Sequence, residues 1–149
     1  MNENYEGDYI LIERILEFYP DDSCSWNQNE VVLQSDLDIA IQQGQIDEPE
    51  PFGDNWKHPC LENKSTKWHI GRVLYFINHP DEIRDIEIDN LYSGSYIFPV
   101  PKIIDGNHRF MAASWLYNHG KMNKVHCRYG GRLDLLEYLT GQTNECPED

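Results

Sequence analysis

A short run of residues from Asp105 to Arg109 combines the residue types that bind phosphate groups. Gly106 allows the backbone to turn with a positive φ or to pass close to a ligand, and a segment with helical spacing follows it. The first N–H groups of a helix attract anions, because no carbonyl of the same helix accepts from them. Arg109 adds a permanent charge, and His108 adds a donor that titrates near neutral pH. The spacing therefore predicts a phosphate cradle formed by Gly106, Asn107, His108 and Arg109.

The same residues also have an interpretation without chemistry. Asp-Gly followed by Asn is common in turns, and Asn107 is a good N-cap residue for the helix that follows. An arginine in the first turn is unfavourable for the helix dipole unless an anion or a carboxylate lies near it. At the level of sequence, a functional anion site and ordinary turn chemistry both stay open.

The cradle needs a strand before it and a helix after it, and the flanking residues predict both. Residues 97–104 are rich in strand-forming residues, and residues 107–119 have the spacing of a helix. Gly120 is expected to end that helix in a left-handed conformation. Trp115 and Leu116 lie inside the helix and are predicted to be buried.

Hydrophobic periodicity predicts further elements on both sides of the cradle. The predicted helices cover residues 9–18, 35–44, 68–77 and 133–139, and the predicted strands cover residues 30–33, 85–89 and 124–129. Ser35 is expected to cap its helix, and Arg72 is expected on the polar side of helix 68–77, near the cradle or a carboxylate. In the last helix, Leu133, Leu136 and Leu139 are predicted to form the apolar face. Polar residues 21–29 and proline-containing residues 45–66 are predicted to be loops. The fold class that follows is α+β, with a small mixed sheet surrounded by helices.

Three carboxylates alternate with isoleucines in the strand predicted over residues 85–89. If the isoleucines face the core, then Asp85, Glu87 and Asp89 share the opposite face. Beside the strand that ends at Asp105, they could coordinate Mg²⁺, or one of them could act as a general base. A solvent-facing side of the strand explains them equally well. Asp105 is the stronger catalytic candidate, because it adjoins Gly106.

Charge is distributed unevenly along the chain. The formal net charge of −14 argues against binding of duplex nucleic acid, which depends on basic side chains that displace counterions. Residues 1–66 carry 15 acidic and 3 basic side chains, whereas residues 67–149 carry 11 and 9. The acidic half is interpreted either as solvated surface or as a face for a basic protein partner.

Cysteine usage and the lack of a signal-peptide pattern favour a cytoplasmic protein with reduced thiols. The four cysteines are Cys24, Cys60, Cys127 and Cys146. No C-x-x-C pair and no long apolar run that could span a membrane is present. His58, Cys60 and His69 are residue types that bind zinc, but their spacing does not match a zinc finger. We therefore predict no metal site made by protein side chains alone.

The segment from Ile104 to Ala113, Ile-Asp-Gly-Asn-His-Arg-Phe-Met-Ala-Ala, resembles the signature of the ParB/sulfiredoxin superfamily. It is most similar to the small bacterial and phage proteins called ParB-like nuclease domain proteins. The residues from His69 to Val73, from Gly130 to Asp134 and from Leu139 to Gly141 carry the same resemblance. The similarity covers about residues 67–141, which implies a core at 67–149 and an acidic helical extension at 1–66, together forming one structural domain.

In this superfamily the corresponding turn and helix start hold nucleotide phosphates, in members that use ATP, ADP or CTP. The resemblance therefore implies that Gly106, Asn107, His108 and Arg109 bind a nucleotide, with Mg²⁺ as a second cofactor. It also implies that Asp105 and His108 act in phosphoryl transfer or hydrolysis, in which positioning and charge neutralisation do most of the catalysis. Sulfiredoxins place their catalytic cysteine where this chain has Asn107, so sulfiredoxin chemistry is not expected. Chromosome-partitioning ParB proteins carry Arg-Arg and a following DNA-binding domain, so centromere binding is not expected either.

Three functional hypotheses follow from the sequence. The leading hypothesis is a nucleotide-binding protein that hydrolyses or transfers a phosphoryl group with Mg²⁺. A rival hypothesis is a catalytically inert acidic module that binds a basic protein, as a phage-encoded inhibitor of a host protein would. Metal-dependent nuclease action is suggested by the label of the family, and the net charge makes it the least attractive of the three.

Overall fold

The computed structural model describes residues 7–19, 23–24, 32–49 and 65–147. Within them the chain has a mixed α+β fold with a four-stranded sheet, a two-stranded sheet and five α-helices. The strands are β1 (Asp8–Leu11), β2 (Ser23–Cys24), β3 (Val32–Leu33), β4 (Ile86–Ser93), β5 (Tyr96–Asp105) and β6 (Lys124–Gly130). The helices are α1 (Ile12–Ile15), α2 (Gln34–Gln42), α3 (Thr66–Asn78), α4 (Asn107–Asn118) and α5 (Leu133–Thr140), and 3₁₀ turns cover Leu16–Phe18 and Pro80–Glu82.

The four-stranded sheet is mixed and has the order β1-β6-β4-β5. Strands β4 and β5 form an antiparallel hairpin that turns at Gly94, whereas β6 runs parallel to β4 and antiparallel to β1. Because β5 lies at the edge of the sheet, it tolerates Pro101, which has no N–H group to donate to a further strand. The small mixed sheet predicted from the sequence is confirmed.

Alternation along β4 places its side chains as the sequence predicts. Ile86 and Ile88 are 0% and 2% exposed, whereas Glu87 and Asp89 are exposed. In α4 a wide apolar surface packs into the same core, and Trp115 and Leu116 are buried as predicted. The strand that ends beside the cradle and the helix that follows it are therefore both fixed by core packing.

The helix predicted over residues 9–18 is wrong at its start. The residues from Tyr9 to Leu11 belong to β1, where Ile10 pairs with Val125 of β6 and is fully buried. Only the residues from Ile12 to Ile15 form an α-helix, and a 3₁₀ turn follows them. A run of consecutive apolar residues fits both a helix and a strand. Pairing with β6 decides for the strand, because this edge of β6 would otherwise have no hydrogen-bonded neighbour.

Two details of the other helices also differ from the predictions. Ser35 does not cap α2, because the helix begins at Gln34 and the Asp36 carboxylate accepts the Leu33 N–H at 2.8 Å. An acid three residues into the helix thus binds the N-cap backbone in place of a serine cap. In α5 the predicted Leu133 is 73% exposed. The buried residues of α5 are Leu135, Tyr138 and Leu139.

The described residues before residue 66 share the core with the rest of the chain. Ile10, Ile12 and Ile15 belong to the same hydrophobic cluster as the residues of α4 and β6. Arg14 of α1 also donates to the carbonyl of Tyr138 in α5 at 2.6 Å. The predicted loops at 21–29 and 45–66 lie largely outside the described residues, and the boundary at residue 66 stays a prediction. None of the helices in the described ranges is long and apolar enough to cross a membrane.

Candidate functional site

The predicted cradle is a tight turn between β5 and α4. Gly106 has φ 96° and ψ 29°, a left-handed conformation that glycine adopts without steric cost. It is the N-cap residue of α4, and the Phe110 N–H donates to its carbonyl at 2.8 Å. The prediction that Asn107 caps the helix is wrong, because the left-handed N-cap is a glycine and Asn107 is the exposed first residue of the helix. The turn thus brings the first N–H groups of a 12-residue helix to the end of the sheet.

Arg109 folds back over this turn. A Cβ atom added to Gly106 would lie 3.1 Å from Nη2 of Arg109, so the guanidinium lies directly over the glycine. Nη1 of Arg109 donates to the carbonyl of Arg84 at 2.6 Å, and Nη2 lies 3.4 Å from Oδ2 of Asp105. The side chain is 21% exposed, so the guanidinium is held in place at the helix start but stays reachable from solvent.

His108 points across to α3, where it meets a residue to which the sequence assigned no role in the cradle. His69 is fully buried, and its Nδ1 lies 2.9 Å from Nε2 of His108. The two rings are nearly parallel, and Trp68 packs edge-on against both. Because one nitrogen must carry the shared proton and the other must accept it, the tautomers of the two histidines are linked.

The environment of His108 keeps its imidazole neutral. Burial lowers the pKa of His108 from 6.5 to about 3, and electrostatic interactions with His69, Arg72 and Arg109 act in the same direction. The sequence led us to expect titration near neutral pH, and the surroundings oppose it. His108 therefore serves as a neutral donor or acceptor at pH 7, in the way that a lowered pKa keeps catalytic imidazoles uncharged in other enzymes.

Arg72 is buried, so its predicted place on the polar side of helix 68–77 is wrong. Its side chain is packed over the rings of Phe76 and Tyr75, with the guanidinium carbon 4.8 Å and 5.4 Å from their centroids. Nη1 donates to the carbonyl of Glu48 at 2.8 Å. Burial lowers the pKa of Arg72, and the charge of Arg109 also lowers it. Stacking on two aromatic rings is the physical reason that a charged residue lies inside this helix packing.

The carboxylates near the cradle differ in their exposure and in their hydrogen-bond partners. The Asp105 side chain is 69% exposed beside the turn, and Glu87 is its register partner on β4. Asp85 precedes β4 with φ 58°, and its Oδ1 accepts from Nε of Arg128 at 3.2 Å. In the described part of the chain, no group of three His, Cys, Asp or Glu side chains could hold a metal ion. His58 and Cys60 lie outside the described residues.

His69 was missed as a neighbour of the cradle because it is remote from it in sequence, whereas Arg72 was expected near the cradle or a carboxylate. They lie three positions apart in α3, so they share one face of the helix. A histidine and an arginine on an otherwise apolar helix face are the signal that could have identified them. The structure adds this face of α3 to the residues predicted from the β5–α4 turn.

Comparison with known proteins gives no match. No protein-family model, no curated protein and no solved structure is significantly similar to this chain. The resemblance to the ParB/sulfiredoxin superfamily is thus an expectation that these comparisons neither support nor contradict. The chemistry of the site has to be inferred from its own residues.

Proposed function

We propose that this chain is a nucleotide-binding protein with a ParB/sulfiredoxin-like fold, and that Gly106, Asn107, His108 and Arg109 hold the phosphate groups. The observation that carries the proposal is the left-handed turn at Gly106, which opens α4 beneath the guanidinium of Arg109. The N–H groups of the first turn, the helix dipole and the guanidinium of Arg109 all favour an anion at the start of α4.

The local charge supports an anion in spite of the acidic composition. The guanidiniums of Arg72 and Arg109 both lower the pKa of His108, so both positive charges act at the start of α4. An arginine in the first turn of a helix is itself unfavourable for the helix dipole. The carboxylate of Asp105 offsets part of this charge, but it is mostly exposed and lies 3.4 Å from Arg109. A phosphate group at this position would compensate the guanidinium of Arg109 and the dipole together.

The chemistry that we propose is hydrolysis or transfer of a phosphoryl group with Mg²⁺. Mg²⁺ in phosphate sites is usually held by one or two carboxylates together with the substrate phosphates. Asp105, exposed beside the cradle, fits this requirement, and Glu87 is its register partner. A bound Mg²⁺ would neutralise charge on the phosphate oxygens.

The side chains have separate roles in this proposal. Arg109 and the N–H groups of the turn orient the phosphate, and Asp105 holds the metal or accepts a proton from the attacking hydroxyl. His108 is neutral, so it orients a group by hydrogen bonding and supplies no charge. Its partner His69 fixes the direction of its ring.

Thermal unfolding with a panel of ligands tests the proposal, because a ligand that binds only the native state raises its apparent stability. We expect at least one of ATP, ADP, CTP, GTP or pyrophosphate, with Mg²⁺, to stabilise the wild type by about 2.7 kcal/mol at 100 times its Kd. Arg109→Ala should abolish that stabilisation and leave the far-UV spectrum unchanged.

The control variant is Lys124→Ala, which removes an exposed cation from β6 where that strand pairs with β1. It should retain the full stabilisation, since its charge lies elsewhere in the sheet. If no ligand of the panel stabilises the wild type, the proposed cradle is wrong. If Lys124→Ala loses as much as Arg109→Ala, the effect is one of net charge and not of the site.

A further inference from the structure

A cavity lies between α2, α3 and the end of α4 that is far from Gly106. Its volume is about 540 Å³, which falls in the range of about 300–1,000 Å³ that small-molecule sites occupy. Its apolar wall is formed by Leu74 and Ile77 of α3 together with Trp115 and Leu116 of α4. Three of these side chains are at most 8% exposed, so packing against the core holds the wall in place.

Three polar side chains from separate parts of the chain complete the lining: Gln45, Asn78 and Lys121. Nε2 of Gln45 donates to the carbonyl of Lys67 at 2.9 Å, and Nδ2 of Asn78 donates to Oδ2 of Asp47 at 3.2 Å. Hydrogen bonds therefore fix both amides beside the apolar wall. An apolar wall with a few placed polar groups is typical of a site that binds and orients a small molecule.

Lys121 supplies a cation at this cavity. Its backbone N–H donates to the carbonyl of Leu116 at 2.8 Å, and its Nζ lies 5.7 Å from the centre of the Trp115 ring. Among the described residues, no acidic side chain lines the cavity and none lies within ion-pair distance of Nζ. Asp38 contacts the same tryptophan, but its Oδ1 accepts from Nε1 of Trp115 at 2.9 Å and lies 3.7 Å from Nε2 of His119. The cavity thus presents a positive charge in a chain whose net charge is −14.

We propose that this cavity binds a small monocarboxylate with an apolar body. The body packs on Leu74 and Trp115, and the carboxylate pairs with Nζ of Lys121. A ligand that covers Lys121 excludes water from it and must compensate its charge, because burial of an unpaired cation is unfavourable. A single ammonium matches the single charge of a carboxylate. This site is independent of the proposed phosphate cradle, which lies at the opposite end of α4.

The test compares octanoate with octylammonium, two probes that share an apolar body and differ in the sign of their charge. Calorimetric titration of the full chain at low ionic strength measures both affinities. The net charge of the chain favours octylammonium, so a preference for octanoate identifies a local cation. We expect the wild type to bind octanoate at least about threefold more tightly than octylammonium. In Lys121→Met, which retains an unbranched side chain beside Trp115, affinity for octanoate should fall about threefold to fivefold and the preference should be lost.

Two matched controls locate the effect. Lys124→Met makes the same change of net charge on β6, outside the cavity, and should retain the preference for octanoate. Ile41 lines the cavity and is 42% exposed, whereas Ile39 of the same helix is 50% exposed and does not line it. Ile41→Glu should therefore weaken octanoate binding about tenfold or more, because it replaces apolar contact with a like charge. Ile39→Glu should change the affinity by less than about twofold.

Several outcomes would overturn this proposal. One is the absence of octanoate binding by the wild type, and another is equal or tighter binding of octylammonium. Equal losses in Lys121→Met and Lys124→Met would mean that net charge and not the cavity governs binding. Equal losses in Ile41→Glu and Ile39→Glu would place the probe elsewhere on the surface. None of these results bears on the phosphate cradle, which is tested with phosphate ligands and Arg109→Ala.

Discussion

Replacement of Gly131 by alanine is expected to destabilise the protein by about 2–6 kcal/mol, the sum of backbone strain and lost buried hydrogen bonds. Gly131 has φ 125°, and an added Cβ would overlap Oδ1 of Asn90 and lie 2.9 Å from its Cγ. Asn90 is 3% exposed, and its Oδ1 accepts from the N–H of Arg132 at 2.9 Å and from the hydroxyl of Tyr129. Its displacement would leave these donors unsatisfied next to the sheet.

Gly120→Ala provides the matched control for this prediction. Gly120 also has a positive φ, 71°, but no atom lies within 4 Å of the position that its Cβ would take. This variant should therefore show only the backbone cost, about 1–2 kcal/mol. Denaturant unfolding of both variants measures the difference. Equal destabilisation would mean that Asn90 moves aside freely and that its hydrogen bonds contribute little.

The elements that could be predicted from the sequence are those whose pattern has a single interpretation. Strict alternation in residues 85–89 identified β4, and helical spacing identified α4. The apolar run in residues 9–12 fits a helix and a strand equally, and its partner β6 lies more than a hundred residues later in the chain. Local periodicity carries no information about such a pairing, so tertiary contacts decided it.

The backbone of the site was predictable, but its electrostatics were not. An Asp-Gly pair before a helical run predicts the turn at Gly106 correctly, because the positive φ is a local property of glycine. The neutrality of His108 depends on burial and on charges from α3, so composition near the cradle predicted the opposite behaviour. The same applies to His69, which meets His108 only because α3 packs on α4.

The acidic half of the chain keeps its two interpretations. Many of its carboxylates, including Asp21, Asp22 and Glu50, lie outside the described residues. A basic protein partner therefore stays a prediction from charge alone. The described part of this half contributes β1 and α2 to the fold, which is a structural role independent of any partner.

Acidification is expected to destabilise the wild type more steeply than a His108→Gln variant between pH 6 and pH 4. His108 has a pKa of about 3 in the folded protein, against 6.5 as its ordinary value. As the pH falls below 6.5, the imidazole is protonated in the unfolded chain before it is protonated in the folded protein. The contribution of His108 to the free energy of unfolding is therefore fully present above pH 6.5 and is lost as the pH falls toward 3. This residue lowers the free energy of unfolding by up to about 1.4 kcal/mol per pH unit, so between pH 6 and pH 4 the wild type should lose about 2 kcal/mol more than His108→Gln.

Comparison of the two proteins isolates the His69–His108 pair, because groups outside it, such as Asp134 with its lowered pKa, contribute equally to both. Electrostatic interactions with His69 and Arg72 of α3 and with Arg109 of α4 all oppose protonation of the ring. The ring resonances of His108 should accordingly show no titration step between pH 7.5 and pH 4.5. A step near pH 6.5, together with equal slopes for the two proteins, would show that water reaches the His69–His108 pair. The imidazole would then be free to add its charge to the proposed phosphate site near neutral pH, as composition alone had led us to expect.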